Sequence, residues 1–197
     1  MEHRAAPAAH HRAHSRVSLN VIPAIGVYAA IRHEEGLPFS FPGGPSFVWE
    51  AADTRLVADV LTWAATAPEA ANEIFNVTNG DVFEWRNLWP SIAQTLGVTT
   101  GADEPHSLVT YLRERTEVWD RVVARHGLAA LSLDEVIGTG DHHADFAFAY
   151  GAPAGPRAFS STVKLRRAGF GEVMHTEDSF RDAFQDLIDR KILPASG

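Results

Sequence analysis

Residues 74–85, IFNVTNGDVFEW, decide between two classes of fold. An apolar run is followed by Asn79-Gly80-Asp81, and an aromatic run follows that turn. Asn-Gly between two apolar runs is the usual signal of a two-residue β-hairpin. The same letters also suit a strand that ends in a turn and leads into a helix. The first interpretation predicts a small antiparallel protein, and the second predicts part of a nucleotide-type α/β fold.

The residues after Gly80 favour the second interpretation. A hairpin strand would alternate apolar and polar residues, but Arg86-Asn87 is followed by Leu88-Trp89. Asp81 and Glu84 also have the spacing of a capping box at a helix start. The apolar residues instead recur at helical spacing, at Phe83, Trp85, Leu88, Trp89, Ile92, Ala93 and Leu96. We therefore predict a strand over 74–77, a turn over 78–80 and a helix that begins at Asp81 and ends at Gly97.

The same criteria predict a chain that is mostly helical with a few short strands, an α/β protein. A helix follows Val17 and ends at Gly36, and two short strand-like pieces surround Pro42-Gly43-Gly44. Asp53 begins the next helix, with Leu56, Val57, Val60, Leu61 and Ala64 on its inner face. Further helices are predicted over 108–115, 117–126, 133–136, 145–149, 161–168 and 177–190.

The composition excludes several classes of protein. The chain has 197 residues, a net charge of −8 and no cysteine. The negative charge gives no general support to a nucleic-acid or anionic-membrane partner. The absence of cysteine excludes disulfides and thiolate chemistry and fits a cytoplasmic protein. No run is long and apolar enough for a transmembrane helix or a signal peptide.

Residues 1–16, MEHRAAPAAHHRAHSR, differ from the rest of the chain. They hold four histidines and almost no large apolar residue, so we predict a disordered leader before an ordered lobe over 17–197. Two alternatives stay open. A His-rich tract can bind metal, and the leader can be an artefact of the start site or reading frame, in which case Met1 is not the natural start.

The motifs of nucleotide-dependent catalysis are missing. Gly138-Thr139-Gly140 is a lone Gly-x-Gly without a clear strand before it, and no other Gly-rich strand-to-helix turn occurs. Tyr28 and Arg32 have the spacing of a catalytic Tyr-Lys pair, but with arginine in place of lysine, and we interpret Tyr28 as a packing residue. We therefore assign no catalytic and no cofactor-binding residue.

Two further patterns have a functional and a structural interpretation. Asp141-His142-His143-Ala144-Asp145 offers metal-ligand types, but without a partner motif rich in aspartate, so we favour a solvated turn before a helix. Ser160-Ser161 lacks a nucleophile-elbow motif and is predicted to cap a helix.

Four segments resemble the progesterone 5β-reductase and iridoid synthase-like family of extended short-chain dehydrogenase/reductases. They are NVIPAIGVYAAIRHEEGLPFSFPG at 20–43, 53–98 with its block FNVTNGDVFEWRNLW, VWDRVVARHGL at 118–128 and FRDAFQDLIDRKILP at 180–194. The resemblance implies the C-terminal, substrate-binding part of a Rossmann-type reductase that uses NADPH to reduce a C=C bond conjugated to a carbonyl. The family's Gly-rich turn and catalytic Tyr and Lys lie upstream of the matching region, so the resemblance implies a lobe without the N-terminal dinucleotide-binding half.

The resemblance also implies substrate-binding positions. Asn20 matches an asparagine at the substrate-pocket helix. The helix beginning near His143 matches the helix at the mouth of the pocket, with Phe146 and Ala149 on the same face. The family usually has an aromatic residue where this chain has His143, which leaves the substrate open.

Three hypotheses follow. The first is a truncated or split reductase chain, which binds a small carbonyl substrate only alongside a nucleotide-binding half and is inactive alone. The second is a non-enzymatic α/β module that binds a partner or forms a homodimer. The third is a metal hydrolase around residues 141–145.

Overall fold

The computed structural model describes residues 20–129, 131–155 and 159–195. The predicted leader 1–16 lies outside these residues. Within them the chain is mostly helical with a single two-stranded sheet. The strands are β1 (Val48–Trp49) and β2 (Phe83–Glu84), which pair antiparallel with Val48 opposite Glu84. The described residues form the α-helices α1 (Ile22–Glu34), α2 (Thr54–Ala64), α3 (Trp85–Leu96), α4 (Leu108–Arg113), α5 (Thr116–His126), α6 (Leu133–Ile137), α7 (Gly140–Ala147), α8 (Val163–Arg167) and α9 (Thr176–Asp189), and a short 3₁₀ turn covers Pro68–Ala70.

Helix α1 is the centre of the fold. All nine residues from Ala24 to Arg32 are buried, so this stretch of the helix has no solvent face. A helix that is apolar on every side belongs inside a core. Helices α3, α4, α5, α6, α7 and α9 all pack against it. One large core therefore forms around α1, and a smaller cluster of Leu56, Val60, Leu165 and Phe170 joins α2 to α8.

The helices with strong local signals are where the sequence predicts them. The side chain of Asp53 accepts a hydrogen bond from the Arg55 backbone N–H and caps α2. Helix α5 ends at Gly127, whose φ of 57° is left-handed, and α9 spans nearly the predicted range. The inner face of α2 is only partly as predicted, because Leu61 is 67% exposed.

The deciding stretch folds differently from both interpretations. Residues 74–77 form no strand, β2 occupies Phe83–Glu84, and α3 begins at Trp85 rather than at Asp81. The predicted capping box is also wrong, since the N-cap of α3 is Glu84 and its side chain makes no capping bond. Asp81 instead accepts hydrogen bonds from the backbone N–H and the hydroxyl of Thr176.

Asn79 holds this region together. Its side-chain oxygen accepts from the Asp53 N–H at 2.7 Å, and its amide nitrogen donates to the Thr176 hydroxyl at 3.0 Å. Its backbone N–H donates to Ala51 and its backbone carbonyl accepts from Met174. The residue is fully buried. Asn79-Gly80 is therefore neither a hairpin turn nor part of a helix cap, but a junction between three chain segments.

Two smaller predictions are also wrong. Helix α7 begins at Gly140 rather than near Asp145, so Asp141 and His142 lie in the helix and not in a solvated turn. The N-cap of α8 is Thr162, and neither Ser160 nor Ser161 caps it.

Candidate functional site

The four predicted substrate-binding residues lie on or near α7. Gly140, the first residue of α7, packs so closely on the start of α1 that a Cβ there would lie 2.6 Å from the Asn20 carbonyl oxygen. The Asn20 side chain accepts from the Ile22 N–H at 3.0 Å, at the start of α1, and is exposed. The structure therefore brings Asn20 next to the first turn of α7.

His143 has one ring nitrogen committed to the helix backbone. Its Nδ1 lies 2.9 Å from the Thr139 carbonyl oxygen. Only a protonated nitrogen can bond a carbonyl, so Nδ1 carries the hydrogen and the neutral ring keeps Nε2 as an acceptor. His143 is half-buried, which leaves part of the ring accessible to a ligand.

Phe146 and Ala149 do not share an exposed face, in contrast to the prediction. Phe146 is 65% exposed, so it is not a core residue, and its ring meets the edge of Trp49 at 6.0 Å between centroids. Ala149 is 4% exposed, lies beyond the end of α7 and has a left-handed φ of 52°. Its carbonyl occupies the space where a Cβ on Gly44 would lie. The Ala149 backbone, directly after α7, thus packs tightly against Gly44.

Sequence reasoning missed Trp49. This side chain is half-buried in β1 and has Phe47 on one side and Phe146 on the other. Tyr150, 40% exposed, follows α7 on the same surface segment. We call Trp49, His143, Phe146 and Tyr150 the α7 surface. The alternation in SFVWE was the available signal, but a strand of two residues is too short for a periodicity to single out one side chain.

Two buried or half-buried carboxylates hold α7 in place. Asp141 is fully buried, and its Oδ2 lies 3.0 Å from the Arg113 guanidinium, which also pairs with Asp134. Asp145 accepts from the Ser107 hydroxyl and the Leu108 N–H, each at 2.6 Å, and so fixes α7 to the start of α4. The Asp145 carboxylate is thus engaged by hydrogen-bond donors and the Asp141 carboxylate by an ion pair, and the described part of the chain has no group of three ligand side chains placed for a metal.

Tyr28 is a packing residue, as predicted. It is completely buried, and its hydroxyl donates to the Ser40 carbonyl at 3.0 Å. Burial raises the pKa of the Tyr28 hydroxyl far above its usual range. The phenol therefore stays protonated and is closed off from any ligand.

An apolar cavity lies between α1, α3 and α5 and is lined by residues such as Ala29, Leu96 and Leu193, none of them on α7. Its lining carries few groups that could orient a carbonyl compound. The α7 surface is therefore the better candidate for a functional site, although it is an open face and not an enclosed pocket. Across the described residues, no helix combines the length and apolar character needed to cross a bilayer.

The comparisons with known proteins agree on one family. No family model matches the chain. The (S)-8-oxocitronellyl enol synthase of Camptotheca acuminata is 32% identical over 184 residues, which are 89% of this chain and 45% of that protein. The synthase of Nepeta racemosa is 38% identical over 60% of this chain. The 3-oxo-Δ(4,5)-steroid 5β-reductase of Arabidopsis thaliana is 37% identical, also over 60% of this chain.

The chain spans less than half the length of these relatives, between 31% and 45%. The match to the Camptotheca acuminata synthase covers 89% of this chain. This chain is therefore a partial-length homologue of the (S)-8-oxocitronellyl enol synthases and 3-oxo-Δ(4,5)-steroid 5β-reductases.

Proposed function

We propose that this chain is the substrate-binding, C-terminal portion of an NAD(P)H-dependent reductase that acts on enone-type carbonyl compounds. The observation that carries the proposal is the exposed Phe146 against Trp49 on the α7 surface. Two aromatic rings that meet edge to face form an apolar wall suited to a flat conjugated ligand. The enone class comes from the relatives, whose names denote an enol synthase and an enone-steroid reductase.

The described residues do not fit the nicotinamide cofactor. Gly138 ends α6, and Gly140 faces the Asn20 carbonyl, so the lone Gly-x-Gly cannot cradle a pyrophosphate. Tyr28 is buried and has no lysine partner. In this proposal the cofactor and the hydride step belong to a separate nucleotide-binding portion, and this chain contributes binding and orientation of the substrate. NADPH is the expected cofactor of the family, and we expect no reduction by this chain alone.

His143 would influence which ligand binds. With Nδ1–H engaged by Thr139, the neutral ring offers Nε2 as an acceptor. It would therefore favour a ligand that carries a hydroxyl near the apolar wall, because an Nε2 without a hydrogen donates no hydrogen bond to a carbonyl oxygen.

The test is ligand binding by NMR titration with a 3-oxo-Δ4 steroid. We expect backbone shifts centred on 139–150 and on β1, and a loss of affinity of about tenfold in Phe146→Ala, the typical cost of losing an aromatic contact. Leu61→Ala is the matched control, since Leu61 is equally exposed, at 67%, but lies on α2. Absence of binding, or equal losses in the two variants, would overturn the proposal. NADPH oxidation with an enone by this chain alone would contradict the assignment of the cofactor and the hydride step to a separate portion.

A second candidate function is a non-enzymatic binding or oligomerisation module, and one observation favours it. Among the described residues, the backbone groups of 74–78 make no backbone hydrogen bond, and Ile74 is 85% exposed. Unpaired extended backbone is a template for pairing with another chain. Sedimentation velocity separates the candidates. A concentration-dependent dimer that is lost in Ile74→Lys supports the second, and a monomer at every concentration removes it.

A further inference from the structure

The segment 98–107, which joins α3 to α4, is fastened along residues 39–42. The Thr99 carbonyl accepts from the Phe39 N–H at 2.7 Å. The Glu104 N–H donates to Phe41 at 2.9 Å, and the His106 N–H donates to Pro42 at 3.0 Å. These bonds place His106 at the end of the segment, directly before the cap of α4.

The His106 ring packs against two tyrosines whose rings also contact each other, with 5.2 Å between centroids. It stacks on Tyr111 with 4.7 Å between centroids and meets Tyr28 edge-on at 5.5 Å. Its Nε2 is buried and has no hydrogen-bond partner in the described part of the chain. The hydroxyls of both tyrosines are already used, by Ser40 and by Glu35 respectively. A neutral ring with an unprotonated Nε2 suits this site, because it brings no second N–H that needs an acceptor.

The charges around the ring come from α1, from the turn after α4 and from the segment itself. The Arg32 side chain, 3% exposed, bonds to Pro38, Ser40 and Glu104, and the Arg115 guanidinium lies 3.7 Å from the centre of the Tyr111 ring. Both cations oppose a charge on His106, whereas Glu104 favours one. However, the Glu104 carboxylate is paired with Arg32 and is 54% exposed, and Glu35 is held by Tyr111 and Arg115.

Burial is the largest influence on this imidazole. It holds the pKa of His106 below its usual range, and the two arginines act in the same direction. A histidine whose pKa is lowered in the folded state stabilises that state fully above its unfolded pKa of about 6.5. The stabilisation is lost as the pH falls below that value.

We propose that His106 holds the segment 98–107 against residues 39–42 while its ring is neutral, and that protonation of the ring releases the segment. When neutral, the ring packs against Tyr28 and Tyr111 and the segment stays bonded to 39–42. When protonated, it places a second N–H without an acceptor beside Arg32, and the segment detaches. Detachment of the segment would also loosen α7, because the Ser107 hydroxyl and the Leu108 N–H donate to Asp145 on that helix. The consequence for substrate rests on the proposed function, whereas detachment of the segment does not.

Hydrogen exchange of the Glu104 and His106 amides tests whether the segment detaches when the pH falls. Between about pH 7.5 and about pH 5.5, after correction for intrinsic exchange, we expect the opening of these amides to increase, at most about tenfold per pH unit, the limit for uptake of one proton. In His106→Phe, which keeps a stacking ring but cannot titrate, the opening should not change with pH. His126→Phe, at an exposed position at the end of α5, should behave as the wild type does.

Three results would overturn the proposal. They are a wild-type opening that does not change with pH, a pH dependence that persists in His106→Phe, and an equal increase at the buried Val27 and Ile31 amides of α1, which would mean global unfolding. The measurement uses neither substrate nor cofactor. Its outcome therefore stands apart from that of the ligand titration.

Discussion

Asn79→Ala removes the side chain that joins three segments of the chain. In the structure its amide makes two hydrogen bonds, to the Asp53 N–H and to the Thr176 hydroxyl, and the residue is fully buried. Alanine makes neither bond, and no water can enter unless the junction opens. Thr176 keeps its bonds to Asp81, so the loss falls mainly on the Asp53 N–H and on the space left by the amide.

We expect Asn79→Ala to lower the free energy of unfolding by about 3 kcal/mol. A buried polar group left without a partner costs about 1–3 kcal/mol, and two partners are affected here, one of them only partly. For a protein of this size, such a loss lowers the midpoint of thermal unfolding by roughly 6–12 °C. It is a large fraction of the total stability of an ordinary domain, which is about 5–15 kcal/mol.

Urea unfolding followed by circular dichroism measures the loss. Asn76→Ala is the matched control, because Asn76 belongs to the same stretch but is exposed and makes one 3.2 Å bond to Ser161. We expect the control to change stability by no more than about 0.5 kcal/mol. A loss below about 1 kcal/mol for Asn79→Ala, or equal losses for the two variants, would refute the junction.

Two further changes test the surroundings of the site. Gly44→Ala would force a methyl group onto the Ala149 carbonyl and should lower the free energy of unfolding by about 1–3 kcal/mol, measured by thermal unfolding. Gly36→Ala has no atom within 4 Å of the added methyl group, so it measures only the backbone strain of alanine at a left-handed φ of 69°. Hydrogen bonds from Arg55 and Ser179 lower the pKa of the Asp53 carboxyl to about 2, against the opposing effect of burial. Asp53 therefore stabilises the fold above about pH 4, and about 2 kcal/mol should be lost as the pH falls to about 2, a slope that Asp53→Asn should remove.

The sequence predicts those elements whose cause lies within a few residues. Asp53 caps α2, Gly127 ends α5 and α9 spans nearly its predicted range, because each signal concerns neighbours in the chain. Asp81 shows the limit of this reasoning. Its spacing to Glu84 is correct for a capping box, but its carboxylate bonds to Thr176, 95 residues away. Asp81 accepts from the donors of Thr176 instead of from a backbone N–H in the next helical turn, and a local sequence pattern does not reveal such a contact.

The candidate site was predictable only in part. The resemblance led to Asn20, His143 and Phe146, which the structure places at or beside α7. It also led to Ala149, whose side chain is buried and whose role in binding stays a prediction. Trp49 was missed, because its contact with Phe146 joins residues far apart in the chain. Side chains that meet through tertiary contact leave little trace in a local pattern.

The central position of α1 sets the order in which the chain can fold during synthesis. The Cβ position of Gly26 is filled by Leu193, and α9 packs along the same helix. A ribosome adds about 5–20 residues per second, so roughly 10–30 seconds separate the emergence of α1 from that of its last partners. For that time the buried stretch 24–32 of this helix has no complete core to enter. The nascent chain should therefore depend on chaperones, and slowing translation should reduce its soluble yield.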